Sequence, residues 1–267
     1  MTGRASAFAV VAFAALAVAL CFLTFPVVAV FADTGVGNLL DALGEEDARE
    51  ALWLSLRTSL AAIAIIVLVG TPAAWFLATR DFRGRAAVLT LIELPLVMPP
   101  AIAGIGLLAA FGPNGILGGA LEDAGIRLVL ETAGVIVALV FVAAPFFLRQ
   151  AQATFSDLDP EVVEASRTLG AGEARTFIAV AVPAARGGLT AGLALAWGRA
   201  LGEFGATLMF AGSFPGITQT APLAIFAEFN EDFTAALALS AVLIAVSAAL
   251  LLTVKLAAGR DAFGGRG

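Results

Sequence analysis

The sequence predicts an all-α polytopic membrane protein with six transmembrane helices. Three observations predict it. Of the 267 residues, 60% are hydrophobic and 13% are charged. A soluble domain carries roughly 25% charged residues, so polar surface is too scarce here to cover a water-soluble globule. The apolar residues gather into runs near or above the roughly 20 residues that cross a bilayer. Arginine and lysine segregate to alternate loops between those runs, which is the pattern of a threaded chain.

The first run covers residues 7–31. It follows Arg4 and ends on Val30-Phe31-Ala32, which resembles a cleavage site. Its length of about 25 residues exceeds the 7–15 of a signal peptide's apolar region, so it reads as a retained membrane helix. The second helix is expected at 56–79, after an outer loop rich in acid: Asp41, Glu45, Glu46, Asp47 and Glu50. The third is expected at 86–111 as one continuous helix that includes Pro95, Pro99 and Pro100. The fourth covers 132–148, the fifth 187–211 and the sixth 235–257. Arg4, Arg80, Arg83, Arg85, Arg149, Arg167, Arg175, Arg186, Lys255, Arg260 and Arg266 fall on one side; Arg49, Arg57 and Arg127 fall on the other. The richer side is expected to be cytoplasmic, with both termini inside the cell (inner or plasma) membrane. The whole of 1–267 reads as one membrane domain.

One segment, residues 157–183, is amphipathic where its flanks are membrane: DLDPEVVEASRTLGAGEARTFIAVAVP. Asp159 is placed to cap a helix whose first position is Pro160, where a missing N–H costs nothing. Glu161 adds negative charge at the positive end of the helix dipole. The helix is expected to run through Leu169 and stop at Gly170, which readily takes the left-handed conformation of a C-terminal cap. A second helix is expected from near Glu173. Such a helix, turn and helix on one face of a membrane protein suits docking to a soluble partner.

The composition also excludes chemistry. The chain has no histidine, one cysteine and one lysine. Histidine general bases, histidine metal sites and histidine triads are therefore absent. Cys21, alone in the first apolar run, makes no disulfide or thiolate cluster. Lys255 follows Val254 rather than the glycine of a phosphate-binding loop, so the chain does not bind ATP by that route. Catalytic residues, metal and cofactor are expected to be none on this chain. The net charge of -6 does not point to nucleic acid.

Arg199 and Glu203 sit near the middle of the fifth run, four residues apart and on one helix face. A charge at the bilayer centre costs about 2.5–3.5 kcal/mol on insertion scales, and pairing reduces this. Two readings stand. That face, with Thr207 one turn on, lines the translocation path; or the pair only fixes helix packing. Pro95, Pro99 and Pro100 free backbone carbonyls inside a span, tolerable only against protein or water, so they mark a gate segment or a packing kink. Gly188, Gly192, Gly198, Gly202 and Gly205 let helices approach closely.

Glu164-Ala165-Ser166, then Gly170, then Val180-Ala181-Val182-Pro183 resembles the signature loop of ABC importer permeases. The pattern is Glu-Ala-Ala, Gly, and an apolar-x-apolar-Pro ending; Ser166 stands where it has the second alanine. The run Arg199 to Gly212, RALGEFGATLMFAG, resembles the fifth helix of molybdate/tungstate permeases. Gly216-Ile217-Thr218-Gln219-Thr220, Pro222-Leu223-Ala224-Ile225 and Leu94-Pro95-Leu96-Val97-Met98-Pro99-Pro100 extend the likeness. Ser213 stands where that family often has asparagine. Sulfate-moving relatives usually carry a Tyr-Gly-Ser type sequence where this chain has Phe204-Gly205-Ala206. The resemblance covers roughly residues 52–257.

It implies a type I ABC importer permease fold and a homodimer around one central pathway. It implies two ATP-binding subunits, which would hold the ATP and Mg, and an extracytoplasmic binding protein for a molybdate or tungstate oxyanion. Pro160, Val163, Glu164, Ala165, Ser166, Leu169 and Gly170 are then the residues expected to couple to the ATPase. Pro95, Pro99, Pro100, Arg199, Glu203 and Thr207 are those expected at the path or gate. A sulfate/thiosulfate permease is the alternative within the class, an ion-coupled secondary transporter the alternative outside it. An intramembrane enzyme is a weaker rival, because paired intramembrane aspartates are lacking as well as histidine.

Overall fold

Four helices in the computed structural model are long and apolar enough to cross a membrane, and two bent helix pairs bring the number of spans to as many as six, each pair counted as one span. The structure describes residues 7–258. Arg4, Arg260 and Arg266, which entered the orientation argument, lie outside the described residues. Among those residues the fold contains helices, turns and connections and no strand.

The first helix, α1 (Ala7–Gly44), outruns its expected end. It is broken at Gly35, whose φ of 69° and ψ of 153° leave the helical region. Phe8, Phe13, Phe22 and Phe25 point outward along it, as side chains facing acyl chains must. The second, α2 (Glu46–Thr79), starts ten residues before the expected span. The acidic stretch expected as an outer loop is therefore largely helical, and Glu46 and Asp47 lie in the first turn of α2, where negative charge suits the dipole.

The third span is not continuous. It divides into α3 (Arg85–Val97) and α4 (Pro100–Phe111), which meet at 118°. Met98 and Pro99 are extended, with ψ of 132° and 134°. Two successive prolines remove two donors, and the second is well placed as the first residue of a new helix. Pro95 is tolerated inside α3. A short α5 (Gly118–Asp123) follows. Next comes α6 (Thr132–Ser156), eight residues longer than expected, so that Arg149 lies within it.

After α6 come α7 (Pro160–Thr168) and α8 (Glu173–Thr176), then a π-helical turn (Phe177–Ala181) and α9 (Val182–Ala184). The fifth span is α10 (Arg186–Leu201) and, after a break, α11 (Gly205–Ala211). The expected single helix over 187–211 is thus two helices, with Glu203 in the gap rather than on a helix. A further helix α12 (Ala221–Glu231) precedes α13 (Phe233–Ala258), the sixth span.

The core forms around α6, packed between α2 and α10. Ile63, Ile66 and Trp75 of α2 and Leu139, Phe147 and Phe155 of α6 meet Ala196 and Ala200 of α10 in one buried cluster. Glycines set the spacing. A Cβ on Gly70 would lie 2.9 Å from Phe147 Cδ1, and one on Gly192 3.1 Å from Gln150 Cβ. A Cβ on Gly188 would overlap Thr154. Gly198, by contrast, has open space before it. Side chains cross-link the bundle: Trp197 Nε1 donates to Ser59 Oγ at 3.1 Å. Ser55 Oγ accepts from Ala221 N at 2.7 Å and so caps α12.

Candidate functional site

The amphipathic segment forms as its sequence requires. Asp159 Oδ1 accepts from Glu161 N at 2.9 Å, and Pro160 opens α7. Arg167 lies in its last turn. Leu169 ends it, and Gly170 follows with φ of 83°. Gly170 N then donates to Arg167 O at 2.9 Å, and Ala171 N to Ser166 O at 3.1 Å. These bonds satisfy carbonyls that the helix end would leave free.

The candidate coupling residues divide between two faces. Pro160, Glu164, Ala165, Leu169 and Gly170 are exposed, Leu169 at 88%. Val163 packs against the edge of the main core, and Ser166 Oγ shares a hydrogen bond with Thr176 Oγ1 at 3.1 Å. Val163 and Ser166 therefore seat the helix, and Val162, 49% exposed, joins the outward face. Arg80, at the end of α2, forms an ion pair with Glu173 at 2.5 Å. Phe177 of the π-helical turn packs beside Trp75 and Phe155. The segment is thus tied to α2 by Arg80 and Trp75 and to α6 by Phe155, and it runs directly into α10.

The two helix breaks lie against each other. A Cβ on Gly205 would be 2.9 Å from Pro100 Cβ, and one on Gly104 2.7 Å from Ala206 O and Met209 Cβ. The N-terminal ends of α4 and α11 thus meet. Glu203 is 1% exposed in the gap before α11. Its Oε1 accepts from Ala206 N at 2.7 Å, which caps α11. Its Oε2 lies 2.5 Å from Arg199 Nη2 on α10, without hydrogen-bond alignment. One carboxylate therefore joins both halves of the fifth span. Thr207 is fully buried, and its Oγ1 has no hydrogen-bond partner. Pro99 and Pro100 are exposed on the single chain and Pro95 is half-buried.

Two ion pairs were not anticipated from the sequence, Arg80–Glu173 and Arg149–Glu93. Arg149 Nε of α6 lies 2.8 Å from Glu93 Oε1 of α3, and Arg149 Nη1 donates to Gln152 Oε1 at 2.7 Å. For Glu93 the signal was present, since a carboxylate inside an apolar span is itself a functional marker. At the opposite end of the bundle, Glu45, Glu46, Asp47 and Glu228 line a pocket between α2, α12 and α13. Partial burial raises the Glu228 carboxyl above the ordinary 4.5, and Glu45, Glu231, Asp232 and Asp47 raise it further.

Residues 70–260 match the family of binding-protein-dependent transport system inner membrane components. The chain is 36% identical over 240 residues to a probable transport system permease protein, NifC, of Clostridium pasteurianum, covering 90% of this chain and 84% of that one. It is 40% identical over 235 residues to the molybdenum transport system permease protein ModB of Mycobacterium tuberculosis, covering 87% and 88%. It is 34% identical over 236 residues to the sulfate transport system permease protein CysW of a Synechocystis strain, covering 87% and 86%. Its fold is similar to a chain of a bacterial alginate ABC transporter crystallised with its alginate-bound periplasmic protein. That match has a TM-score of 0.76 at 16% identity, covering 96% and 95%. A chain of the MetNI methionine ABC transporter aligns with a TM-score of 0.56 at 17% identity, covering 79% and 93%. The fold is that of the type I ABC importer permeases, and the chain belongs to the family of binding-protein-dependent inner membrane components, as a multi-pass ABC importer permease of the molybdate/sulfate group.

Proposed function

We propose that this chain is the membrane-spanning subunit of an ATP-driven importer for molybdate or tungstate. The observation that carries the reading is α7: a capped, outward-facing helix, Leu169 88% exposed, in a segment tied to α2 and α6 of a chain with no phosphate-binding loop of its own. Two cytoplasmic ATPase subunits, which hold ATP and Mg, each receive one α7 in a surface groove. Two copies of the chain enclose one central path, with both termini in the cytoplasm. An extracytoplasmic binding protein delivers the oxyanion from outside.

Transport proceeds by alternating access. ATP closes the ATPase pair and draws the two α7 helices together. The spans rock outward-open and accept the anion, and hydrolysis restores the inward-open state. The paired breaks at Pro99-Pro100 and Glu203, with Pro95, Arg199 and Thr207 beside them, border the path and act as its gate. Identity to a molybdenum permease at 40%, together with Phe204-Gly205-Ala206, supports molybdate or tungstate. The 34% identity to a sulfate permease supports sulfate as the second reading.

The test is reconstitution of the chain with its cognate ATPase in liposomes, comparing binding protein loaded with molybdate, tungstate or sulfate. Stimulated hydrolysis and uptake with the first two alone is the expected result. Stimulation by sulfate moves the substrate to the second reading. Transport by this chain without an ATPase, under an ion gradient, overturns the proposal.

A further inference from the structure

Arg199 of α10 and Arg149 of α6 lie well along their helices and are partly open to their surroundings. Arg199 is 13 residues into α10, about 20 Å from its start at 1.5 Å per residue, and its side chain is 26% exposed. Arg149 and Glu93 lie about 10–12 Å from the ends of α6 and α3 nearest α7, with side chains 40% and 42% exposed. A charged group deep in a span is costly against acyl chains and almost always faces a bundle interior or a water-filled passage, and Arg149 and Glu93, nearer their helix ends, pair with each other across α6 and α3. In each case the arginine is held by a carboxylate from a different structural position: Glu203 from the helix break, Glu93 from α3.

The pairing runs against what an anion passage would first suggest. A free guanidinium in a low-dielectric setting is a strong, bidentate ligand for an oxyanion. A passage that only attracted its cargo would use free arginines, and would then hold it.

We propose that Glu203 and Glu93 are charge-cancelling residues. Each keeps a path-facing arginine near zero net charge, so that a divalent tetrahedral oxyanion passes Arg199 and then Arg149 without being trapped. This rests on the oxyanion-importer reading above. Glu203 is suited to the task because its position is fixed twice. The Ala206 N–H holds one oxygen, so the other stays beside Arg199 whether or not cargo is present. Glu93 is held less tightly, but Gln152 orients Arg149 toward it. Cargo therefore meets polar, oriented and neutral pairs, which lower the desolvation barrier without making a well.

The complex with its ATPase, in nanodiscs and without binding protein, is the material for the test. Retention of radiolabelled molybdate is measured for wild type, E203Q, E93Q and the double variant R199Q/E203Q, and uptake is followed in parallel liposomes. Glutamine keeps the carbonyl that accepts from Ala206 N but removes the charge. Wild type is expected to retain the anion only weakly, as the reference for the variants. E203Q and E93Q are expected to bind at least roughly tenfold more tightly, about 1.4 kcal/mol, with uptake slowed to match. R199Q/E203Q is expected to return to wild-type retention.

A merely structural pair would move stability in these variants but not anion retention. Equal retention in wild type, E203Q and E93Q overturns the proposal, and so does a double variant that still holds anion. E93Q, at the more exposed pair, carries the test if E203Q does not assemble. Wild-type complex that moves no oxyanion defeats the importer reading instead. If wild type moves sulfate, the same retention assay run with sulfate decides the proposal.

Discussion

Pro100 and Gly205 touch where two transmembrane helices are broken: a Cβ on Gly205 would sit 2.9 Å from Pro100 Cβ. Two discontinuities 105 positions apart in sequence thus form one structural feature. The contact is this close because Gly205 carries no side chain toward the Pro100 ring, and Gly104 opposite Ala206 repeats the arrangement one turn on.

Side chains at this crossing should therefore be poorly tolerated. Gly104→Leu forces α4 away from Ala206 and Met209, and overpacking of this kind costs about 1–3 kcal/mol. Gly106→Ala, two residues away with open space before it, should change stability by less than about 0.5 kcal/mol. Thermal unfolding of the purified protein in detergent checks both. Equal melting temperatures for the two variants would mean the crossing is not tight.

Gly170→Val introduces no clash, since nothing lies within 4 Å of its Cβ direction. It does force a β-branched residue to φ of 83°, at a cost of about 1–2 kcal/mol in the left-handed region. The turn after α7 should reorganise, leaving ATP hydrolysis uncoupled from uptake. Gly170→Asn, which tolerates that conformation, should retain coupling. Normal uptake by Gly170→Val at normal membrane levels would refute the docking role of α7.

The outward face of α7 predicts a separation of association from stability. Leu169→Asp places a charge where the single chain is solvent-exposed, so stability should shift by less than about 0.5 kcal/mol. Binding of the ATPase subunit should weaken at least roughly tenfold, about 1.4 kcal/mol. Val163→Asp, on the inward face, should instead destabilise the chain. Co-purification and melting curves on both variants distinguish the two faces.

The buried pair predicts an order of stabilities. Arg199→Gln leaves the Glu203 carboxylate buried and uncompensated, and breaking a buried pair from one side costs about 3–5 kcal/mol. Removing both charges in R199Q/E203Q should recover most of that loss. A double variant no more stable than Arg199→Gln would mean the two residues do not act on each other.

Glu228 predicts a pH dependence. Its folded carboxyl takes up a proton more readily than the unfolded one, because partial burial and then four neighbouring acids disfavour its charge. Stability from this group is fully present below the ordinary carboxylate value of 4.5 and is lost as pH rises through the raised value. Glu228→Gln should therefore melt higher than wild type at neutral pH, with the difference closing as the medium is acidified to below that ordinary value. A difference that is constant with pH would count against the acidic cluster as its cause.

Local chemistry made much of this molecule legible in its sequence. The length and apolarity of the runs require a bilayer. The Asp159–Pro160 start and Gly170 stop bound α7 because capping and left-handed geometry involve only neighbours in the chain.

What the tertiary structure alone decided depends on groups far apart in the chain. The prolines at 99 and 100 announced a disturbance, but whether the span would kink or break by 118° depended on α11 filling the space beside it. Arg199 and Glu203 were legible as a pair, yet Glu203 left the helix to cap α11, because a buried carboxylate gains a second partner there that a continuous helix would deny it. The partner of Glu93 could not be read from spacing, since Arg149 lies on another helix 56 positions on. Val163 and Ser166 turned inward because the returning chain through Thr176 covers that side of α7. Periodicity identifies the faces of a helix; only the packed neighbours determine which face is covered.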